Sequence, residues 1–284
     1  MKVKVAIAQI DTVVGDVRAN LEKHIEYVQK AKKMGVQIIV FPELSLHGYT
    51  LRDLAWDLAL DPRKTSPLDP LKKLSDKISI LAGAVESAPD HGIYNSAFFL
   101  EDREIRNIHR KIYLPTYGMF EEGRYFSPGT VVRSFDSKYG RFSTLICEDH
   151  WHPSLLYLSA LDGAEAIFIP TASPSRVTGS EPLRTIQTNM EHHKSYARLL
   201  SVYIVFGNRV GIEDGVSLSG SSSITNPNGD VLIKAKDFDE DLIVGELDSA
   251  EIERARRFSR HFLDERPEII LRNLTEIIAR KRSQ

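Results

Sequence analysis

Short apolar segments alternate with amphipathic ones along most of the chain. Residues 3–10 and 36–41 are apolar on both faces, a pattern typical of buried strands. Between them, apolar residues recur at helical spacing, with Asn20 as a candidate N-cap and Gly35 where a helix commonly ends. This order of elements predicts a β-α-β unit, in which the two strands are parallel.

The same periodicities continue toward the C-terminus. Further strands are predicted at residues 78–85, 96–100, 104–109, 131–135, 142–146, 166–169, 202–206 and 242–247, with a hairpin at 223–234 around Asn228-Gly229. Further helices are predicted at residues 53–60, 70–77, 154–161, 181–200, 251–257 and 267–282. The alternation predicts an α/β fold with mixed sheets in layers, and because no linker interrupts it we expect one domain over residues 1–284.

Two predicted strands resemble each other. IIVFPEL, at residues 38–44, and AIFIPTA, at residues 166–172, are both apolar runs that stop at a proline. The repetition favours two β-α halves that face each other.

Composition narrows the classes of function. The 284 residues are 42% hydrophobic with a formal net charge of −2, and no block of like charge indicates nucleic-acid binding. The single cysteine, Cys147, excludes an internal disulfide and a multi-cysteine zinc site. Neither a signal-peptide pattern nor a membrane-spanning run is present, so we expect a cytoplasmic protein that contacts no membrane.

Candidate chemistry lies at three predicted strand ends. Glu43, Lys111 and Cys147 each follow a buried strand, and ligands of α/β sheets gather at that edge. Cys147 stands where a strand breaks into a helix, a position at which the helix N-terminus is expected to lower the thiol pKa. A carboxylate base, an oxyanion-stabilising ammonium and a thiol together suit attack on a C–N carbonyl or nitrile.

Each of these residues also has an ordinary structural interpretation. A lone cysteine is commonly a small buried hydrophobe, a glutamate after a proline caps helices, and a lysine in a loop is commonly solvated. Spacing alone does not decide between the two interpretations.

Three sequence blocks resemble the signatures of the nitrilase, or carbon-nitrogen hydrolase, superfamily. They are FPELSLHGY, HRKIYLPTYGMFEEGRYFSPG and LICEDHW, in the family's order. The resemblance implies Glu43 as general base, Lys111 as oxyanion stabiliser and Cys147 as nucleophile. It also implies that Glu122 positions substrate or transfers protons, with Glu121 as the alternative. It further implies a four-layer αββα sandwich, assembly into a homodimer or higher homo-oligomer, and no metal or organic cofactor.

A narrower resemblance is to the glutaminase domain of glutamine-dependent NAD synthetases. It is carried by ELSLHGY, by the C-E-D-x-W pattern of residues 147–151 and by TASPS at residues 171–175. It implies a substrate pocket formed by Tyr49, Tyr117, Phe120, Glu148 and Ser173. The alternative for these side chains is packing, or for Glu148 a helix-terminal acid.

Two features depart from that subfamily. The sequence ends at Gln284, so we expect no synthetase domain. An arginine expected shortly after TASPS is not evident, since Ser180 lies near its place and Arg176 and Arg184 are the candidates.

We therefore predict hydrolysis of a small amide through a Cys147 thioester, with ammonia or an amine released. The alternatives are a glutaminase subunit that supplies a separate synthetase, a nitrilase, an N-carbamoyl hydrolase, or a binding scaffold without activity. His150 and His152 could bind a metal only as an isolated pair, and no metal is expected. The helix at residues 267–282 is expected to pack or to form an oligomer contact rather than to anchor the protein to a membrane.

Overall fold

The structure, a computed structural model, describes residues 2–175 and 184–282. Within these ranges the strands are β1 (Lys2–Gln9), β2 (Ile38–Val40), β3 (Ser79–Ser87), β4 (Ile93–Glu101), β5 (Glu104–Arg110), β6 (Phe135–Ser137), β7 (Gly140–Thr144), β8 (Ala166–Thr171), β9 (Tyr203–Asn208), β10 (Val210–Glu213), β11 (Val216–Ser219), β12 (Ser223–Thr225), β13 (Val231–Lys234) and β14 (Asp241–Asp248). The helices are α1 (Val17–Lys33), α2 (Leu54–Leu58), α3 (Leu68–Leu74), α4 (Glu122–Tyr125), α5 (Pro153–Leu161), α6 (Arg184–Leu200), α7 (Ser249–Phe258) and α8 (Pro267–Arg282). Short 3₁₀ turns span Cys147–Trp151 and Arg260–Phe262.

Two six-stranded mixed sheets form the centre of the molecule. Sheet one has the order β14-β1-β2-β3-β4-β5, and sheet two has the order β13-β12-β9-β8-β7-β6. In sheet one β1, β2 and β3 are parallel, and in sheet two β7, β8 and β9 are parallel. The two similar segments of the sequence are thus β2 and β8 with the residues after them, and each strand is the middle of a parallel trio.

Helices cover the outer face of each sheet, which gives the expected αββα order. Helices α1 and α3 share one hydrophobic cluster with the outer face of sheet one, and α5 and α6 share another with sheet two. The largest cluster lies between the sheets and contains residues of both. Strand β1 shows how the sequence produces this, because Val3, Val5 and Ile7 enter the cluster between the sheets while Ala6 and Ala8 enter the one beneath α1.

Most predicted elements are confirmed within a few residues, including the parallel β1–β2 pair and the β12–β13 hairpin. The predicted cap of α1 is wrong. Asp16, not Asn20, accepts the N–H of Ala19, while Asn20 lies inside the helix and bonds the backbone of Val13 and Leu46. Asn20 thereby ties α1 to the segment that follows Glu43.

One strand prediction is wrong, one hairpin was not predicted, and one predicted helix is described only in part. Residues 131–134 do not form a strand, since β6 begins only at Phe135. The β10–β11 hairpin was not predicted, because its residues alternate weakly and are partly exposed. The helix predicted at residues 181–200 is present from Arg184, and residues 181–183 lie outside the described ranges.

Helix α8 begins at Pro267 as predicted and contains no buried residue. Six of its large hydrophobic side chains are exposed: Ile269, Ile270, Leu271, Leu274, Ile277 and Ile278. Among the described helices, none combines the length and the apolar composition that crossing a bilayer requires.

Candidate active site

Glu43 lies three residues beyond β2 and is fully enclosed by the protein. The next residue, Leu44, has a φ of +47°, so the chain turns sharply after the carboxylate. This turn lies directly against Gly83 of β3, where a Cβ would stand 2.4 Å from the Leu44 nitrogen and 2.6 Å from the Pro42 oxygen. Only a glycine at position 83 therefore allows the Glu43 turn to lie on sheet one.

Lys111 follows β5 directly and is also fully buried. Its Nζ lies 2.7 Å from Glu43 Oε1 and 2.6 Å from Glu122 Oε1. Burial acts to lower the pKa of Lys111, but the carboxylates of Glu122 and Glu43 raise it well above its ordinary value. Lys111 is therefore a fixed ammonium between two carboxyl groups.

Glu122 opens the short helix α4, and it is the buried member of its pair, since Glu121 is exposed. Its Oε1 accepts from Lys111 and from the hydroxyl of Tyr49, while its buried Oε2 has no hydrogen-bond partner within the described residues. Burial raises the pKa of Glu122 to about 7, with Lys111 opposing the shift and Glu43 adding to it. This carboxyl group can therefore carry a proton near neutral pH.

Cys147 starts the 3₁₀ turn that follows β7, with a φ of +44°. His150 Nδ1 contacts the carbonyl oxygen of Cys147, which holds the turn from inside. Cys147 is the first residue of a five-residue 3₁₀ turn, and α5 begins only after that turn, at Pro153. The expected lowering of the thiol pKa is wrong: burial raises the pKa of Cys147 well above its ordinary value, Glu43 adds to this, and Lys111 opposes it.

Two groups that sequence reasoning missed complete the surroundings of Glu43. Asn95 on β4 donates its side-chain amide to Glu43 Oε1 at 2.8 Å. The backbone N–H of Ala172, just beyond β8, donates to Glu43 Oε2 at 2.9 Å. The ends of the two similar segments therefore meet at this carboxylate. No local signal marks Asn95, whereas the similarity of AIFIPTA to IIVFPEL indicated Ala172 indirectly.

An open cleft leads to Cys147. Of the predicted pocket residues, Tyr117, Phe120, Glu148 and Ser173 line it. Tyr117 is largely exposed, packs edge-on against Phe120 with ring centroids 5.6 Å apart, and donates its hydroxyl to Glu148 Oε2 at 2.9 Å. Burial, followed by Glu148, raises the pKa of Tyr117 to about 12, so its hydroxyl remains a donor. Tyr49 is not among the lining residues and instead reaches Glu122 from behind Phe120.

The cleft also contains residues that were not predicted. Trp151 and the tip of the β10–β11 hairpin, Gly215 to Ser217, form part of its wall. The hairpin is anchored by Glu213, which accepts the N–H groups of Tyr49 and Thr50 and pairs with the buried Arg209. This anchor connects the wall of the cleft to the loop that carries Tyr49.

Of the candidate arginines, Arg184 lines the cleft at the start of α6. Arg176 and Ser180 lie outside the described residues. Among the described residues that line the cleft, Glu148 supplies a carboxylate and Arg184 a guanidinium.

His150 and His152 do not form a pair. His150 is buried against the Cys147 carbonyl, whereas the His152 ring stacks on Tyr113 at a centroid distance of 3.3 Å. Within residues 2–175 and 184–282, no three histidine, cysteine, aspartate or glutamate side chains are placed to hold a metal ion.

Comparison with known proteins agrees with this geometry. A family model described as carbon-nitrogen hydrolase matches residues 4–257. The chain is 34% identical over 245 residues to the glutamine-dependent NAD(+) synthetase of Acinetobacter baylyi. This match covers 86% of this chain and 44% of that protein. It is 30% identical over 281 residues to a citrullinase of Francisella tularensis. This match covers 94% of this chain and 96% of that protein.

Among solved structures, Nit3 of Saccharomyces cerevisiae, a member of branch 10 of the nitrilase superfamily, superposes with a TM-score of 0.79. It is 28% identical, and the match covers 91% of this chain and 94% of Nit3. The chain spans less than half the length of the NAD synthetases that it matches.

Proposed function

The chain belongs to the carbon-nitrogen hydrolase family, and we propose that it hydrolyses a non-peptide C–N bond of a small amide through a thioester on Cys147. One observation carries this proposal. A lysine ammonium bonded to two buried carboxyl groups lies close enough to the only thiol of the chain to shift its pKa.

In the proposed first step, Glu43 takes the thiol proton while the sulfur of Cys147 attacks the amide carbon. The C–S bond forms, and the carbonyl electron pair moves to oxygen. Lys111 and the backbone N–H of Glu148 stabilise that oxyanion. Two of the three N–H groups of Lys111 bond the carboxylates, which leaves the third for the oxyanion.

Collapse of this intermediate breaks the C–N bond, and Glu43 delivers its proton to the leaving nitrogen. Water then gives a proton to Glu43 and attacks the thioester carbon, the C–S bond breaks, and the thiolate recovers the proton. Glu43 thus acts first as base and then as acid in each half-reaction. Glu122, neutral below a pH of about 7, keeps its proton and donates a hydrogen bond from Oε2 to the substrate.

A panel assay tests this reaction. Ammonia release is measured with aliphatic amides, glutamine, citrulline, N-carbamoyl amino acids and nitriles, and mass spectrometry identifies the acyl group on Cys147. A mass increase on this residue that equals the acyl part of a turned-over substrate supports the proposal. Turnover without any adduct on Cys147, even in rapid-quench samples, contradicts it.

We further propose that the substrate carries an α-amino and a carboxylate group at the end away from the reacting carbon. Glu148 suits the ammonium and Arg184 suits the carboxylate, and both line the cleft beside Cys147. Glutamine and citrulline share this zwitterionic end and differ in the reacting group. The similarity to glutamine-dependent NAD synthetases favours glutamine, with ammonia passed to a separate synthetase, whereas the full-length match to a citrullinase favours a ureido substrate.

Arg184→Gln separates the zwitterionic substrates from simple amides. The change is expected to raise KM for glutamine or citrulline by roughly 10-fold or more, since a charge-assisted hydrogen bond contributes about 1.5–3 kcal/mol. KM for an uncharged aliphatic amide should not change. An equal effect on both substrate types would contradict the assignment.

We also propose that the chain acts in the cytoplasm as one domain and self-associates through α8. The cluster between the sheets contains residues of both sheets, which supports a single folding unit. The exposed apolar side chains of α8 support a protein contact at this helix. Light scattering of the wild type and of a Leu274→Glu variant tests the second point, because the variant should be monomeric at concentrations where the wild type is dimeric or larger.

A further inference from the structure

Asp149 lies two residues beyond Cys147 and is completely buried. Its carboxylate accepts four hydrogen bonds. Oδ1 accepts the backbone N–H groups of Ile112 and Tyr113 at 3.0 Å each, and Oδ2 accepts the N–H of Ile146 at 3.0 Å and His109 Nε2 at 2.9 Å. Burial acts to raise the pKa of Asp149, but His109 and these backbone donors lower it, so the group is an anion.

The four donors belong to two different parts of the molecule. His109, Ile112 and Tyr113 surround Lys111 at the end of β5 in sheet one, whereas Ile146 directly precedes Cys147 at the end of β7 in sheet two. Oδ1 bonds only the segment after Lys111, whereas Oδ2 bonds both His109 on β5 and Ile146, the residue before Cys147. One carboxylate thus joins the chain on the C-terminal side of Lys111 to the chain on the N-terminal side of Cys147.

We infer that Asp149, oriented by His109, is a positioning residue that sets the distance between the Lys111 ammonium and the Cys147 thiol. Within the proposed function, on which this inference rests, the two groups must contact the same carbonyl. The site draws its ammonium and carboxyl groups from sheet one and its thiol from sheet two, so a contact between the sheets is required to hold them in register. Asp149 makes such a contact, and its partners Ile112 and Ile146 directly adjoin Lys111 and Cys147 in the sequence.

Asp149→Asn should release one side of this junction selectively. An asparagine has one acceptor oxygen and one NH₂ group. The oxygen can keep the two bonds to Ile112 and Tyr113, and the histidine can change tautomer to accept from the NH₂. The N–H of Ile146 then faces a donor. The turn at Cys147 is therefore expected to move while Lys111 stays in place.

Glu101 provides a matched control. It is a buried carboxylate at the end of β4, and it also joins the sheets, accepting from Ser79 on β3 and from Ser137 on β6 at 2.8 and 2.6 Å. It lies six residues along β4 from Asn95, which is roughly 20 Å. Glu101→Gln removes an inter-sheet carboxylate of the same kind away from the thiol.

The experiment measures Tm, kcat, KM and the rate of Cys147 alkylation by iodoacetamide as a function of pH for the full chain and both variants. Both variants should lose Tm to a similar extent. Asp149→Asn should lower kcat about 100-fold, the usual effect of a displacement near 1 Å, with KM changed less than about threefold. Its alkylation profile should move to lower pH, because the displaced thiol would be less buried and would lie farther from Glu43, which raises the thiol pKa by more than Lys111 lowers it. Glu101→Gln should leave kcat and the alkylation profile as in the wild type.

Wild-type kcat and an unchanged alkylation profile in Asp149→Asn would overturn the inference, as would equal effects of the two variants. If Asp149→Asn does not fold, the same measurements are made on His109→Gln. This variant keeps the Asp149 carboxylate and removes the imidazole that donates to it. A smaller decrease in kcat with a shift of the alkylation profile in the same direction supports the inference, and no change in either contradicts it. Absence of hydrolysis in the wild type would refute the proposed function, while the alkylation profiles would still test the junction.

Discussion

The edge of sheet one that faces the cleft carries Glu43 and Lys111 and leads into Glu122, whereas the edge of sheet two carries Cys147 and the backbone N–H of Ala172. On the first side the Lys111 ammonium bonds the carboxyl groups of both Glu43 and Glu122, and all three side chains are buried. Cys147 on the second side packs in the apolar cluster between the sheets, and its backbone has a positive φ.

This difference separates two kinds of contribution. The groups of sheet one balance one another's charge, so each one contributes to stability as well as to chemistry. The thiol of sheet two is neutral at ordinary pH because its pKa is raised, so the fold depends little on it. Substitution of the thiol should therefore reduce activity alone, whereas substitution of a charged group of sheet one should reduce both activity and stability.

The largest effect on turnover is expected from Cys147→Ala. Without a nucleophile the rate should fall by roughly 10⁵-fold or more. The circular dichroism spectrum and Tm should remain close to those of the wild type, because the alanine side chain, like the neutral thiol, is small and uncharged. Retained turnover would refute the thioester, and a large decrease in Tm would refute the contrast between the sheets.

Lys111→Met should reduce both activity and stability. The variant leaves the buried carboxyl groups of Glu43 and Glu122 without their cation, which lowers the free energy of unfolding by about 3–5 kcal/mol. It also removes the proposed oxyanion stabiliser, which lowers kcat by about 10²–10³-fold. Urea unfolding and steady-state kinetics measure the two effects. Lys138→Met is the control, since its pair with Asp102 is partly exposed and should contribute at most about 1 kcal/mol.

Glu122→Gln tests the protonated carboxyl group through pH. The pKa of Glu122 is raised to about 7, so the group is neutral below this pH and charged above it. Wild-type kcat/KM should therefore fall as the pH rises past about 7. The variant cannot ionise, so it should lack this limb of the profile and have a maximum about 10–100-fold lower. The same limb in both proteins would show that another group titrates there.

Gly83→Ala should produce the smallest of these effects. Its Cβ would press on the backbone of Pro42 and Leu44, at a cost of about 1–3 kcal/mol, and would displace Glu43. Gly35→Ala is a control of similar cost, because φ there is +70° with open space around the Cβ. Gly83→Ala alone should lower kcat, and equal kcat values would show that the Glu43 turn tolerates the shift.

Much of the fold was predictable because periodicity is a local property. The apolar runs identified the strands of both parallel trios, and the family signatures led to the αββα architecture that the structure confirms. The prediction was wrong where local signals were weak. Residues 131–134 look like a strand but do not form one, and the β10–β11 hairpin has little alternation.

The candidate site was predictable to a smaller degree. Strand ends selected Glu43, Lys111 and Cys147, and the structure brings them together, but their roles remain predictions. The pKa of the thiol was predicted in the wrong direction, because its burial and its proximity to Glu43, over 100 residues away in sequence, outweigh any effect of the turn. Asn95 gave no local signal, and Asp149 was visible only as a member of the C-E-D-x-W pattern, since the importance of both lies in the groups that they contact.

The sequence by itself therefore determined which segments form strands and helices, where the strands end, the family of the chain and the three residues most suited to the chemistry. These are consequences of local patterns and of motifs read in order. Only the tertiary structure decided that two sheets share one site, that Glu122 rather than Glu121 enters it, and that Asp149 spans the junction between Lys111 and Cys147. Such facts depend on contacts between distant residues and on burial, which change pKa values and hydrogen-bond partners without leaving a mark in the local sequence.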